Sequence, residues 1–316
     1  MGGWHARYAA RAGATIAAVV DPRTEAAGAL AQRYGARAFA DLDECLRECP
    51  TEAVHVCAPR DVQAALAGTA LTAGRHVLVE KPAAPSAAEA RRLTDLAERS
   101  GLLLCPVHQF PFQRGVARLR LRLAELGDLV RVTHLLASAG GEGLPEAGRR
   151  ALLQELLPHP LSLFRALLGP DPEGGAGWSV LQRTRDDLEI AATRNGTRLT
   201  AVLSLRARPT RNELVVLGTK ASARADLFHG FATVERAGVT RTAKVLAPFR
   251  RGALLLGAAG ANLLRRAAQW EPAYPGLLAL IRGFYASVRE GAPAPVGRDE
   301  LLEVAGAIER MGEKMY

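Results

Sequence analysis

His76-Val77-Leu78-Val79-Glu80-Lys81-Pro82 decides how the chain folds. A short apolar run ends in a charged pair and a proline, and a helix-like stretch that stops at Gly74 comes before it. Runs bounded in this way read as strands buried on both faces of a parallel sheet. Ligands of open α/β sheets bind outside the carboxyl ends of such strands, so Lys81 stands where a ligand is met. Pro82 pushes Lys81 toward extended backbone. Among 41 lysines and arginines only Lys81, Lys220, Lys244 and Lys314 are lysine. A chain that uses arginine almost everywhere carries lysine at this strand end. The alternative is a solvated ion pair between Lys81 and Glu80.

Outward from this run, strand and helix alternate. Strands are expected over residues 15–20, 36–40, 53–58 and 102–106, and helices over 24–34, 42–48, 62–73 and 86–99. Thr24 is the expected N-cap of its helix and Gly35 its stop. Ser86 with Glu89 forms a capping box. The alternation predicts a doubly wound, mostly parallel sheet over residues 1–106. Asp21 ends a strand where an acid accepts hydrogen bonds from adenosine ribose hydroxyls, which favours NAD. Arg23 would admit NADP. The competing reading of Asp21 is an Asp-Pro turn. Gly2 and Gly3 fit the second glycine of a G-x-G-x-x-G loop and its neighbour, and His5 sits where the third glycine would be. The first glycine and first strand are absent, so two raw sheet edges are expected.

Beyond residue 107 the rhythm changes. A strand is expected at 128–138 and a helix at 151–168. Strands then follow at 177–182, 187–193, 198–206, 213–218, 221–227 and 232–236. Asn195-Gly196 marks a hairpin turn. The expectation is a second domain, residues 107–316, of α+β type with an open antiparallel sheet and terminal helices at 277–290 and 299–311. Residues 139–148 read as a mobile loop and 270–275 as a substrate-side loop.

Hydrophobic content of 48% and charged content of 23% describe a globular chain. The net charge is +9, but the arginines are scattered and no basic run exceeds two residues. A solvated basic surface is expected, and no nucleic-acid partner. Cys45, Cys49, Cys57 and Cys105 complete no metal pattern and read as structural thiols of a cytoplasmic protein, with no metal site. The start, Met1-Gly2-Gly3-Trp4-His5, has no apolar signal segment. Residues 252–264 are apolar but too short to span a bilayer. Flanked by Arg250-Arg251 and Arg265-Arg266, they read as a buried or lid helix, with an interfacial membrane helix as the alternative. No membrane partner is expected.

The motifs together resemble the Gfo/Idh/MocA family of oxidoreductases. The resemblance rests on Gly2-Gly3-Trp4 with Tyr8, Val19-Val20-Asp21-Pro22, and Ala53-Val54-His55-Val56 into Ala58-Pro59. It continues through residues 73–82, Ser86 with Glu89-Ala90, and Glu155 with His159. It implies an NAD(P)-dependent enzyme that oxidises a secondary alcohol of a sugar, cyclitol or similar compound, phosphorylated and nucleotide-linked forms included. It places the cofactor against Gly2, Gly3, Trp4, Asp21, Arg23, Ala58, Pro59, Glu80, Lys81 and Pro82. It makes Lys81, His159 and Glu155 catalytic. Lys81 would orient the substrate oxygen, and His159 would take the hydroxyl proton as hydride leaves. Residues four apart share a helix face, which suits Glu155 with His159. The resemblance also implies a homodimer or homotetramer built through the second sheet. Glu155 departs from the family's aspartate, Gln63 from a frequent histidine, and His108-Gln109 from asparagine or arginine. Two other readings stand. One is a cofactor-deficient family member that serves as a binding or assembly protein. The other is redox-neutral chemistry on tightly held NAD.

Overall fold

The computed structural model describes residues 1–171, 177–236 and 240–313. The chain divides into two compact units: Met1–His108 with Leu277–Ala305, and Gln109–Gly276 with Gly306–Tyr316. Leu277–Ala305, assigned by sequence to the second domain, thus groups with the first.

The first unit alternates as expected. In order come α1 (Gly2–Arg11), β1 (Ala18–Val20), α2 (Thr24–Tyr34), β2 (Arg37–Phe39), α3 (Leu42–Glu48), β3 (Ala53–Val56), α4 (Arg60–Thr72), β4 (His76–Val79), α5 (Ala87–Arg99) and β5 (Leu104–Pro106). All pairings are parallel, in two sheets, β1-β2 and β3-β4-β5. The punctuation has visible causes. Gly35 ends α2 at φ 64°, a left-handed cap that glycine adopts without a Cβ clash. Ser86 accepts from the Glu89 amide at 3.1 Å and starts α5. Two expectations change. Thr24 is the first helical residue of α2 rather than its cap, because Arg23 holds the extended cap position. Gly2 and Gly3 lie in the first turn of α1 rather than in a loop, since the Trp4 and His5 amides already donate to the Met1 carbonyl.

The second unit carries α6 (Arg114–Leu121), β6 (Leu129–Ala137), α7 (Glu146–Leu156), α8 (Pro158–Leu168), six further strands and α9 (Arg241–Ala268). The strands are β7 (Ser179–Arg183), β8 (Asp187–Arg194), β9 (Thr197–Ser204), β10 (Arg211–Gly218), β11 (Ala221–Asp226) and β12 (Phe231–Arg236). They form an open seven-stranded sheet in the order β12-β11-β10-β6-β9-β8-β7. Asn195 and Gly196, both at positive φ, make the β8–β9 hairpin. The sheet is mostly antiparallel. The exception is β6 against β9, which pair in parallel through Arg131↔Arg198 to Ala137↔Ser204. A non-local pairing of this kind leaves no mark in local strand patterns.

Two helices, α10 (Leu277–Glu290) and α11 (Arg298–Glu313), follow. Leu280, Ile281 and Phe284 of α10 are fully buried, and α10 packs against α1. Leu301 at the start of α11 joins Val56, Val77, Val79 and Leu93 in the core around β3 and β4. This burial draws residues 277–305 back to the first unit.

Candidate active site

The register of the three-stranded sheet sets Val56, Val79 and Pro106 side by side. The residues that follow therefore leave the sheet along one edge: Cys57-Ala58-Pro59, Glu80-Lys81-Pro82 and Val107-His108. The Glu80 amide donates to the Val56 carbonyl at 2.9 Å, and the Val107 amide to the Val79 carbonyl at 2.8 Å. Gln63, buried on α4, donates from Nε2 to the Ala58 carbonyl at 2.8 Å and braces the Ala58-Pro59 turn. Lys81 is half-buried, and its bond to Pro82 is cis.

Glu80 is the anchor of a buried polar chain. Its Oε1 lies 3.1 Å from Nε2 of His5, and its Oε2 accepts from the Lys81 amide at 3.2 Å. Nδ1 of His5 lies 3.1 Å from Nδ1 of His55, and Nε2 of His55 lies 3.0 Å from the Tyr285 hydroxyl. Two protonation patterns satisfy every contact, and the raised His5 imidazole favours one of them. In it a doubly protonated His5 donates to Glu80 and to His55, and neutral His55 donates onward to the Tyr285 oxygen. Burial pulls the His5 imidazole down, but Cys57 and the Glu80 carboxylate beside it more than offset this and raise it to about 9. Burial drives His55 well below its ordinary value, and the charge on His5 adds to the effect. Burial pushes Glu80 up, yet His5 and Lys81 outweigh it and hold the carboxyl below the usual range. Burial lifts the Tyr285 phenol to about 12, so it stays protonated. The result is an ion pair from α1 to the end of β4 that fixes the backbone at Lys81. Sequence reasoning alone misses His5, His55 and Tyr285 as site residues. The available signal is a histidine among the apolar residues of β3.

Asp21 leaves the end of β1. Its carboxylate accepts from the Arg23 amide at 2.9 Å and pairs with the Arg23 guanidinium at 3.2 Å. These bonds hold its pKa below the ordinary aspartate value, so it is a charged acceptor. Of the two readings the sequence offered, the geometry shows the turn. α1 starts with no side-chain cap and no acid in its first turn. A Cβ added at Gly2 or Gly3 would meet nothing within 4 Å. The amides of a helix start suit a pyrophosphate. These groups fit a dinucleotide. Trp4 is half-buried on α1, 5.9 Å from the Tyr8 ring.

His108 does not stand open. It is buried, and its Nδ1 lies 2.7 Å from Glu300 of α11, inside the first unit.

In the second unit, Glu155 and His159 do not share one helix as expected. Glu155 lies in the last turn of α7 and His159 in the first turn of α8. The cause is Pro158, which has no amide hydrogen to continue the ladder, while Leu157 donates to Gln154 in a tighter turn. The joint residue Leu157 keeps helical dihedrals, so the two helices follow with little break. His159 is buried and stacks on Phe110 at 4.3 Å, and its carbonyl accepts from the Ser162 hydroxyl. A cavity of about 270 Å³ in this unit is lined by Glu146, Arg150, Arg183 and Arg185 among others, and by none of the candidate residues. Among the described residues, no cluster of histidine, cysteine and acid is arranged for a metal, and the four cysteines are unbridged thiols.

The family model described as the Gfo/Idh/MocA "Oxidoreductase family, NAD-binding Rossmann fold" matches residues 2–108. An inositol 2-dehydrogenase of Leifsonia xyli is 40% identical over 100 residues, 31% of this chain and 30% of that protein. The chain thus matches about a third of the length of such relatives. The UDP-N-acetylglucosamine 3-dehydrogenase GnnA of Acidithiobacillus ferrooxidans superposes with a TM-score of 0.72 at 21% identity, over 98% of this chain and 92% of that one. The WlbA dehydrogenase of Bordetella pertussis, solved with NADH and UDP-GlcNAcA, gives 0.73 at 17% identity, over 99% and 92%. These two likenesses show a shared fold.

Proposed function

We propose that the chain, whose residues 2–108 match the Gfo/Idh/MocA family model, is an NAD(P)-dependent oxidoreductase of that family. It moves a hydride between nicotinamide and a secondary hydroxyl or ketone of a sugar, cyclitol or related substrate. One observation carries the reading: the only lysine of the first hundred residues leaves β4 beside a glutamate that is bonded to both His5 and the lysine's own amide. The relatives' names support a polyol or a nucleotide-linked sugar as substrate.

When bound, the nicotinamide takes or returns the hydride. The chain's own residues do the rest. Asp21 accepts from the ribose hydroxyls, with Arg23 beside it to tolerate a 2′-phosphate. The start of α1 at Gly2 and Gly3 offers its amides to the pyrophosphate. Trp4, Ala58, Pro59 and Pro82 border the cofactor, and Glu80 sets the position of Lys81. The Lys81 ammonium holds the substrate oxygen and stabilises charge on it. His159 accepts the hydroxyl proton, a task suited to imidazole near neutral pH, and Glu155 contacts the substrate. Self-association through the seven-stranded sheet belongs to the same reading.

The test is a fluorescence titration with NADH and NADPH, followed by a panel of polyols, sugars and nucleotide-sugars. Binding of either cofactor and turnover of one substrate class are expected. A chain that binds neither cofactor would sink the proposal and leave the cofactor-deficient binding protein. Stoichiometric bound NAD with no net change in nicotinamide absorbance would favour redox-neutral chemistry.

A further inference from the structure

Helix α9 is built inside out. It has no buried residue over its whole length. Its side toward β12 is polar: Arg251 pairs with Glu235 at 2.8 Å, while Asn262 and Arg266 donate to the His229 carbonyl. The opposite side is apolar. Val245, Phe249, Gly252, Leu256, Gly260 and Leu263 recur at spacings of three and four, which aligns them in one stripe. Along it Val245 is 69%, Phe249 76%, Leu256 77% and Leu263 70% exposed. The sequence expectation of a buried helix is therefore overturned. The apolar face that should drive such a helix inward is turned to solvent.

We propose that α9 lies on an anionic lipid surface, with this stripe set into the boundary of headgroups and acyl chains. Charge chooses lipid over a second copy of the chain. The helix holds six basic residues, Arg241, Lys244, Arg250, Arg251, Arg265 and Arg266, and no acid. At 100° per residue Arg241 lies next to the stripe on one side and Arg250 beyond it on the other, whereas Arg251, Arg265 and Arg266 are engaged within the protein. Two such helices face to face would bring together basic side chains with no acid on either helix to pair them. A negatively charged bilayer takes the basic side chains and the stripe together. Trp270, 76% exposed just past the helix, adds an aromatic side chain of the kind that settles at the headgroup level. No helix among the described residues is long and apolar enough to cross a membrane. α9 spans about 42 Å at 1.5 Å per residue, enough to lie along the surface.

The full chain is sedimented with vesicles of equal parts phosphatidylcholine and phosphatidylglycerol, and with vesicles of phosphatidylcholine alone. Binding to the first and not the second is expected, and it should weaken as salt rises. F249S/L256S, at two exposed positions, should lower binding by roughly tenfold or more per side chain. R241E/R250E should lower it by roughly fivefold or more per residue. The Trp270 emission should shift to the blue on binding, a change absent from W270F. Failure to bind anionic vesicles at low salt overturns the proposal. So does self-association in lipid-free buffer that F249S/L256S abolishes, because the stripe would then be a protein interface.

Discussion

The edge of the three-stranded sheet and the outer face of α9 break the burial rule in opposite directions. At the first, His5 and Glu80 are polar and buried. At the second, Phe249 and Leu256 are apolar and exposed. Neither arrangement is explained by stability alone: a buried ion pair often stabilises less than packed apolar groups, and an exposed apolar stripe invites association. The difference lies in where the compensation comes from. At the sheet edge the chain supplies every partner itself, through Glu80, His55 and Tyr285. On α9 the partner must come from outside. A change at the first region should therefore damage the protein, and a change at the second should leave it whole.

The largest expected effect is at His5. His5→Ala leaves Glu80 charged and buried without its partner, which costs about 3–5 kcal/mol for a pair of this kind. Urea unfolding measures it. Replacing both residues, as His5→Leu with Glu80→Leu, should recover most of that loss. If the double variant is as weak as the single one, the cost comes from lost packing and not from stranded charge. The pH dependence carries a second signature. His5 is raised from 6.5 to about 9 on folding, so its contribution is complete below pH 6.5 and is lost as pH climbs through 9. Glu80 is lowered, so its share is present above its unfolded pKa and lost in acid. The alkaline decline should vanish in the Leu-Leu variant.

Lys81→Ala comes next, with an expected fall in kcat of about 10²–10³, the usual cost of deleting one donor to a developing oxyanion. NADH affinity should stay near that of the parent chain. Full turnover without the ammonium would end its proposed role, and equal loss of cofactor binding would move the role to the cofactor. Asp21→Ala should weaken NADH by about tenfold, the order expected for one charge-assisted hydrogen bond. NADPH should lose less, since removing the carboxylate relieves repulsion of a 2′-phosphate while Arg23 remains.

Much of this is legible in the sequence, and the gaps have physical causes. The alternation of the first hundred residues can be read because each strand is a short apolar run closed by glycine, proline or a cap, all local signals. The return of residues 277–305 to the first unit cannot be read, because it depends on Phe284 and Leu301 finding distant partners. The parallel contact of β6 with β9 escapes for the same reason. Pro158 is visible between Glu155 and His159 and marks the place where the hydrogen-bond ladder is interrupted. His5 registers in sequence only as a missing glycine. Its link to Glu80 joins residues 75 positions apart, a separation that no motif window spans.

The smallest expected effect tests the other side of the contrast. Leu256→Ser and Phe249→Ser should each change unfolding free energy by less than about 0.5 kcal/mol, as surface substitutions do. Leu280→Ala, at a fully buried position of α10, should cost about 2–5 kcal/mol. The same residue type thus has opposite effects in two helices of one chain, decided by what covers it. A small loss at Leu256, with vesicle binding removed, would mean that the stripe contributes to association and not to folding. A loss at Leu256 as large as at Leu280 would mean that the stripe is covered in solution. That result would remove the difference between the two regions, because α9, like the sheet edge, would have its partner within the protein.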